Sequence, residues 1–242
     1  MNLKGLNAIV TGGSRGIGRA ICIALAQKGV NVGINYISHE NRAKEVLEEI
    51  EKLGVSGVLL KADVSHSGQV KNMVEEFVER FGKVDILVNN AGVFPKNFKV
   101  LEISDDEWDW LMRINLRGAF IVSREVLKYM PDGGKIVNIS SIAGKMGGVA
   151  GPHYAASKAG LIGLTFALAS ELVGRKITVN AVAPGPVDTE MIPDEIKERL
   201  ANITPLGRIA TPEEIAHVVI FLLENDYITG EVVDINGGRY MD

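Results

Sequence analysis

Cysteine is almost absent from this sequence of 242 residues. Cys22 is the only one, so no disulfide can form within the chain, which is typical of a protein kept in a reducing compartment. Because Cys22 stands among apolar residues of a helical segment, we expect it to be an inert packing residue. Of the four histidines, His39, His66 and His217 lack the spacing of metal ligands and His153 is expected to be structural or at the site's rim, so we expect no metal site.

Neither a strong charge bias nor a long apolar run is present. The net charge is −4, which gives no reason to expect nucleic acid or an anionic membrane as a partner. No apolar run approaches the roughly 18 residues of a membrane span, and the first residues lack the apolar core of a signal peptide. Hydrophobic residues make up 46% and charged residues 23% of the chain, as in globular proteins. We expect a cytoplasmic protein.

Short apolar runs alternate with longer segments of helical period along the whole chain. The predicted strands are Ala8–Thr11, Asn31–Tyr36, Gly57–Lys61, Asp85–Asn89, Lys135–Ser140, Thr178–Ala183 and Val232–Ile235. The predicted helices are Gly16–Lys28, Asn41–Leu53, Gln69–Phe81, Asp105–Tyr129, Tyr154–Val173 and Pro212–Leu223. Continuous apolar strands are typical of a parallel sheet that is covered on both faces. The pattern predicts an α/β fold with a doubly wound parallel sheet of about seven strands and helices on both faces.

One stretch is too irregular for an ordinary connection. Residues 184–206 contain four prolines and predict a lid or substrate loop with a short helix inside it. The rest of residues 1–242 shows no linker or repeat, so we expect a single domain.

A glycine-rich segment joins the first predicted strand to the first helix. Thr11–Gly18 has the spacing G-x-x-x-G-x-G, with Gly12, Gly16 and Gly18 as its glycines. Such a turn lets the backbone approach a pyrophosphate, and the helix N-terminus offers free N–H groups. A purely structural turn is the alternative, but the position between strand and helix favours a Rossmann-type dinucleotide site.

The end of the second strand bears on which dinucleotide binds. NAD-binding folds usually place an acid there for the ribose 2′-hydroxyl, but this strand ends in Tyr36, Ile37 and Ser38, and the first carboxylate is Glu40. Arg15, within the glycine loop, can bind a 2′-phosphate. The absent acid and the added base favour NADP over NAD, unless Arg15 is only a solvated loop charge.

Tyr154 and Lys158 are spaced to lie on one helix face. A nearby cation favours the phenolate and lowers a tyrosine pKa, as general acid–base catalysis requires. By itself the pair is a weak signal, since a surface tyrosine packed on a lysine gives the same spacing. Ser140–Ser141 and Asn89–Gly92 strengthen it, because each ends a predicted strand and ligands of α/β sheets bind beyond strand carboxyl ends.

Taken together, these motifs resemble the short-chain dehydrogenase/reductase family over nearly the whole chain. The matching residues are Thr11–Gly18, Asp63, Asn89–Gly92, Asn115, Ser141, Tyr154–Lys158, Asn180 and Pro184-Gly185. The resemblance implies that Tyr154 donates a proton to the substrate oxygen, Lys158 lowers the Tyr154 pKa and binds the nicotinamide ribose, and Ser141, rather than Ser140, steadies the substrate. It further implies that Asn115 holds a water that relays protons to Lys158.

The resemblance also implies a cofactor site for NADP(H), in which Asp63 and Val64 border the adenine and Val187 lies near the nicotinamide amide. The implied cofactor residues are Gly12, Ser14, Arg15, Gly16, Ile17, Gly18, Tyr36, Ser38, Asp63, Val64, Asn90, Gly92, Tyr154, Lys158, Pro184, Gly185, Val187 and Thr189.

The substrate is less narrowly implied. The motifs are most similar to the branch that reduces 3-oxoacyl thioesters on acyl carrier protein, and Arg175 and Lys176 could dock that acidic partner. The loop Pro131–Gly134, however, is acidic where carrier-using relatives tend to be basic. The alternatives are a free sugar, polyol or small ketone as substrate, or a non-catalytic cofactor-binding regulator. The family is usually tetrameric, and 234–242 resembles its interface strand and tail, so a homotetramer is expected.

Overall fold

A single parallel sheet organises the chain. This computed structural model describes residues 2–96, 98–147 and 150–241. Its seven strands follow the order β3-β2-β1-β4-β5-β6-β7, and every neighbouring pair is parallel. The strands are β1 Asn7–Val10, β2 Asn31–Tyr36, β3 Gly57–Lys61, β4 Ile86–Asn89, β5 Lys135–Ile139, β6 Thr178–Pro184 and β7 Val232–Ile235. The predicted doubly wound sheet is confirmed, with strand ends shifted by one residue at most.

Helices cover both faces of this sheet. They are α1 Gly16–Gln27, α2 Glu40–Lys52, α3 Ser67–Phe81, α4 Asp105–Met112, α5 Gly118–Val126, α6 Ala143–Met146, α7 Pro152–Leu172, α8 Asp194–Asn202 and α9 Pro212–Glu224. The apolar faces of α1, α2 and α9 pack on one side of the sheet. Those of α3, α5 and α7 pack on the other side. The inner strands β1, β4, β5 and β6 are buried along their whole length, which explains their continuous apolar runs, whereas the edge strands β3 and β7 are only partly buried.

The strand order reverses between β1 and β4, and this reversal locates the site. β1 leads to β2 on one side, whereas β4 leads to β5 on the other. Connections leaving the carboxyl ends of β1 and β4 therefore diverge and leave a crevice, where ligands of doubly wound sheets bind. The glycine loop follows β1, and Asn90 follows β4.

The predicted continuous helix Asp105–Tyr129 is wrong in one respect. Five residues in its middle, Arg113–Arg117, form a π-helical turn between α4 and α5. Such turns insert a residue into the helix and often occur at functional sites. Asn115 lies in this turn and is bonded to the chain after β4, a tertiary contact that helical periodicity does not contain.

Two further features concern the predicted lid and the longest helix. The stretch 184–206 does contain a short helix, α8. Helix α7 and the turn after it, Pro152–Arg175, are long and apolar enough to span a membrane by length and composition. In this fold α7 is a helix of the folded domain, and its buried face includes Ser157, Lys158 and Thr165.

Candidate active site

The glycine loop forms a close-fitting cradle at the carboxyl end of β1. A Cβ atom added to Gly18 would lie 2.2 Å from the Gly12 carbonyl oxygen, so only glycine fits there. Gly12 and Gly16 have positive φ angles of 64° and 52°, which favour glycine. The side chain of Arg15, the N-cap residue of α1, makes no capping hydrogen bond to the helix. The helix N–H groups are thus left for an anion, and a pyrophosphate fits this backbone.

The remaining loop residues line the same turn at different depths. Ser14 and Ile17 are half-buried, with Ile17 packed against the core, and Arg15 is exposed.

Asn90 holds this loop from the neighbouring strand. Its amide Nδ2 donates to the carbonyl oxygens of Thr11 and Gly12 at 2.9 and 3.1 Å. The Thr11 hydroxyl in turn accepts from the backbone N–H groups of Asn90 and Ala91. Asn90 therefore fixes the loop shape, which makes it a positioning residue for the cofactor site.

Four predicted cofactor residues, including Asp63 and Val64 that were expected to border the adenine, follow or end β2 and β3. Tyr36 is buried and Ser38 is exposed, with the Ser38 hydroxyl 2.8 Å from a ring nitrogen of its neighbour His39. Asp63 accepts a hydrogen bond from the Ser65 backbone N–H, and Val64 packs against Gly118.

Glu40, the first carboxylate after β2, is already engaged. It begins α2 and forms an ion pair with Lys44 at 2.8 Å. This hydrogen bond with Lys44 holds the pKa of Glu40 below its ordinary value. Glu40 is thus paired with Lys44 in α2 rather than placed at the end of β2 to bind a ribose hydroxyl.

The segment after β6 closes the other side of the crevice. Pro184 ends β6, and its carbonyl accepts from the Ile142 N–H, next to Ser141. Gly185 lies so close to Asn236 that an added Cβ would be 2.9 Å from the Asn236 Cα. Val187 is buried and bridges to Ala210. Thr189 lies against Gly16, so this segment reaches the glycine loop.

Ser141 follows β5, and its hydroxyl accepts a hydrogen bond from the Ala143 N–H at 3.1 Å. Interaction of the same hydroxyl with the phenol acts to lower the pKa of Tyr154. The hydroxyl of Ser140, by contrast, donates to the carbonyl of Lys158 at 2.9 Å and is buried. The structure therefore distinguishes the two serines, since Ser140 ties β5 to α7 and Ser141 is directed to the tyrosine.

Lys158 lies over the face of the Tyr154 ring, with Nζ 5.7 Å from the ring centroid. Its ammonium donates to the Ile139 carbonyl at 2.8 Å. Burial lowers the pKa of Lys158 to about 8, because an ammonium loses its hydration inside the protein.

The expected lowering of the Tyr154 pKa by Lys158 is not found in this structure. Burial raises the pKa of Tyr154 to about 12, and the Ser141 hydrogen bond offsets only part of that rise. Desolvation dominates because the phenol is 9% exposed and Lys158 is directed at a backbone carbonyl. Tyr154 is consequently a protonated acid at neutral pH.

Asn115 joins the π-helical turn to the site. Its side chain accepts from the Val93 N–H at 2.8 Å and donates to the Val93 carbonyl at 3.0 Å. A Cβ built on Gly92 would lie 3.3 Å from the Asn115 Oδ1 and 3.7 Å from the Lys158 Nζ. Gly92 thus brings Asn115 and Lys158 to the same point, and the free space there depends on glycine.

An apolar wall stands beside Tyr154, and the sequence alone did not suggest it. Phe94 meets the tyrosine ring edge-on at a centroid distance of 5.2 Å. The ring belongs to one apolar cluster with Val93, Phe94, Trp110, Leu111 and Ala150. Trp110 of α4 is one of its partly buried members.

The wall is held by an interaction between His153 and Glu107. His153 is fully buried, and its Nε2 lies 3.4 Å from the Glu107 Oε1. The same oxygen accepts from the Lys96 backbone N–H at 3.1 Å. Glu107 therefore joins α4, α7 and the segment that carries Phe94. Three distant parts of the chain supply this contact, which explains why no local pattern revealed it.

Comparison with known proteins agrees with this geometry. A family model described as enoyl-(acyl carrier protein) reductase matches residues 12–239. A short-chain dehydrogenase/reductase from Serratia marcescens is 40% identical, with 99% of each chain covered and a TM-score of 0.94. This chain belongs to the short-chain dehydrogenase/reductase family.

Two further relatives of this dehydrogenase/reductase carry more specific names. The 3-oxoacyl-[acyl-carrier-protein] reductase FabG of Staphylococcus epidermidis is 42% identical, with 97% of this chain and 99% of the relative covered. A blue fluorescent protein from a metagenomic library, solved in complex with NADPH, is 39% identical, covers 100% of both chains and has a TM-score of 0.94. As a member of this family, the protein is an oxidoreductase.

Proposed function

We propose that this protein reduces the carbonyl of a 3-oxoacyl thioester, carried on acyl carrier protein, with NADPH as reductant. The meeting of Ser141, Tyr154 and Lys158 beside the glycine loop carries the proposal of carbonyl reduction. The choice of substrate is supported by the FabG relative at 42% identity over nearly the whole chain.

The protein's own groups act on the substrate oxygen. Tyr154, with a pKa of about 12, remains protonated at neutral pH and donates its proton to that oxygen. Ser141 donates a second hydrogen bond and orients the carbonyl, and Asn115 and Lys158 border the route by which a proton returns to the phenol. When bound, NADPH supplies the hydride.

The apolar wall favours an acyl substrate over a sugar or polyol. A polyhydroxylated substrate would leave its hydroxyl groups without partners against Phe94 and Trp110, the partly exposed aromatic residues of this wall, which costs free energy for each buried hydroxyl. An acyl chain buries carbon against the same surface and gains from it. The apolar surface extends to Phe98, whose ring lies 5.8 Å from that of Phe94 and which is 48% exposed.

Arg175 and Lys176 do not support docking of a carrier protein beside the site. They follow the C-terminal end of α7, whereas Tyr154 lies in its first turn, roughly 27 Å away along the helix axis. Arg175 also forms an ion pair with Asp132 at 3.1 Å. The acidic loop Pro131–Gly134 therefore binds Arg175 within the chain, and this leaves less of the Arg175 charge for an acidic partner.

A substrate panel with NADPH tests the proposal. We expect the specificity constant for a 3-oxoacyl thioester on acyl carrier protein to exceed that for free ketones, sugars and polyols by at least about a hundredfold, because carrier binding contributes to transition-state stabilisation. An enoyl thioester is included as a control for the chemistry. Equal constants for carrier-bound and free ketones would favour the small-ketone alternative, and faster reduction of the enoyl thioester would contradict carbonyl reduction.

Arg15 tests the choice between NADPH and NADH. Replacing Arg15 by Ala is expected to raise the Michaelis constant for NADPH about tenfold and to leave that for NADH within about twofold, because a guanidinium–phosphate pair is lost only with NADPH. Steady-state kinetics with both cofactors measure this. Arg80→Ala, at an exposed position near the end of α3, is the control. Equal effects on both cofactors would contradict a 2′-phosphate contact.

We also propose a cytoplasmic homotetramer, by family resemblance. Large apolar side chains remain exposed on α5 and α7, with Phe120 at 45% and Phe166 at 49%, and such surfaces are typical of subunit contacts. The tail residues as far as Met241 are described, and Asp242 lies outside the described residues. Sedimentation velocity of the purified chain tests the assembly, and a monomer at micromolar concentration would contradict it.

A further inference from the structure

One carboxylate on the segment after β6 bridges two arginines across the crevice. The Oε2 atom of Glu190 lies 3.5 Å from Nη1 of Arg15 and also accepts a hydrogen bond from Nη1 of Arg42. Arg15 is in the glycine loop, and Arg42 is in the first turn of α2. Three separate connections of the sheet therefore meet at a single anionic oxygen.

The position of Arg15 and Arg42 indicates that a 2′-phosphate can bind between them. The loops after β1 and β2 flank the adenosine ribose in doubly wound dinucleotide-binding sheets, and an arginine near the end of β2 accommodates a 2′-phosphate. Arg42 follows that strand by six residues. Since both guanidiniums contact one oxygen atom, their charges converge on a space that suits one anion.

We propose that Glu190 is an internal anion that occupies the 2′-phosphate subsite formed by Arg15 and Arg42, and that it competes with the 2′-phosphate of the cofactor. This inference rests on the proposed use of NADPH, and it adds Arg42 as a second phosphate ligand. A cofactor with a free 2′-hydroxyl does not displace Glu190, whereas a phosphate does, because it carries nearly twice the charge of a carboxylate.

The ion pairs of Glu190 with the two arginines are weak enough for the 2′-phosphate of the cofactor to displace the carboxylate. All three side chains are about half exposed, at 51% for Arg15, 42% for Arg42 and 56% for Glu190, and exposed ion pairs are worth little. The hydrogen bond from Arg42 holds the pKa of Glu190 below its ordinary value, so the carboxylate is charged at neutral pH. Glu190 therefore reduces the affinity for a 2′-phosphate by a small factor.

The bridge also connects cofactor binding to the segment after β6. Thr189, the residue before Glu190, lies against Gly16 of the phosphate loop. A 2′-phosphate that binds both arginines displaces Glu190 and so frees this segment from α2. The contact of Thr189 with the glycine loop is kept. The geometry thus gives the segment two sets of partners, selected by the anion on the arginines.

Calorimetric titration with adenosine 2′,5′-bisphosphate and with 5′-AMP tests the proposal without any turnover. We expect Glu190→Gln to bind the bisphosphate about three- to fivefold more tightly than the wild type and 5′-AMP equally well. Arg42→Ala is expected to weaken bisphosphate binding about tenfold. Glu195→Gln, at an exposed glutamate of α8, removes the same charge away from the arginines and is expected to change neither constant.

The titrations distinguish competition by Glu190 from the proposed use of NADPH. Unchanged bisphosphate affinity in Glu190→Gln, with losses in Arg15→Ala and Arg42→Ala, would overturn the role of Glu190 and leave the choice of NADPH intact. Wild-type protein that binds the bisphosphate no better than 5′-AMP would overturn both. A double-mutant cycle locates the effect, because the gain from Glu190→Gln must shrink in the Arg42→Ala background if the two side chains interact.

Discussion

Replacing Tyr154 by Phe is expected to lower the turnover number for carbonyl reduction about a hundred- to ten-thousandfold, while the dissociation constant for NADPH changes by less than about twofold. The reason is that only the proton donor is removed. The aromatic ring, which packs edge-on against Phe94, is kept. Single-turnover kinetics and fluorescence titration of NADPH measure the two quantities.

A matched variant makes this result specific. Tyr129→Phe removes a phenol at a partly exposed position that follows α5, and it is expected to leave turnover unchanged. Near wild-type turnover in Tyr154→Phe would show that the proton comes from elsewhere. If the wild type itself turned over no carbonyl compound while still binding NADPH, the non-catalytic regulator would become the better interpretation.

Replacing Lys158 by Met is expected to abolish most of the activity and yet to raise the free energy of unfolding at pH 7 by roughly 1–3 kcal/mol. A lysine whose pKa falls from 10.5 to about 8 carries an unfavourable burial free energy on the order of 3 kcal/mol at neutral pH. The lost hydrogen bond to the Ile139 carbonyl offsets part of the gain. Urea unfolding of both proteins measures the difference.

The pH dependence of that difference is the sharper test. Between about pH 8 and 10.5 the unfolded chain holds the Lys158 proton and the folded chain releases it, so the wild type gains stability as the pH rises. The advantage of Lys158→Met must therefore be largest at pH 7 and shrink towards pH 10. Lys71→Met, on the exposed face of α3, should show no such trend. A variant less stable than the wild type at pH 7 would contradict the burial penalty.

If Lys158→Met is both more stable and inactive, the site holds its ammonium at a cost in folding free energy. The site keeps an ammonium in a place where hydration is lost, beside a phenol whose pKa is also raised by burial. Active sites commonly hold such perturbed groups at a cost in stability. In both Tyr154 and Lys158, burial shifts the pKa towards the uncharged form.

The hydrophobic pattern of the sequence accounts for the strands and for most of the helices, which could be predicted. The inner strands are buried on both faces, so their apolar runs are continuous and local, and all seven strand positions followed from such short runs. The helix through Asn115 was predicted without its π-helical turn. That turn is tied to the Val93 backbone, 22 residues away, and a helical pattern contains no information about such a partner.

The sheet, the glycine loop and the spacing of Ser141, Tyr154 and Lys158 could be predicted from local sequence, because turns, strand ends and helix faces depend on neighbouring residues. The tertiary structure, in contrast, sets how these groups are charged and what surrounds them. It separated Ser140 from Ser141, paired His153 with Glu107 and set Glu190 between Arg15 and Arg42. It also raised the pKa of Tyr154 instead of lowering it. Desolvation and long-range ion pairs depend on residues far apart in the chain, and only folding brings these residues together.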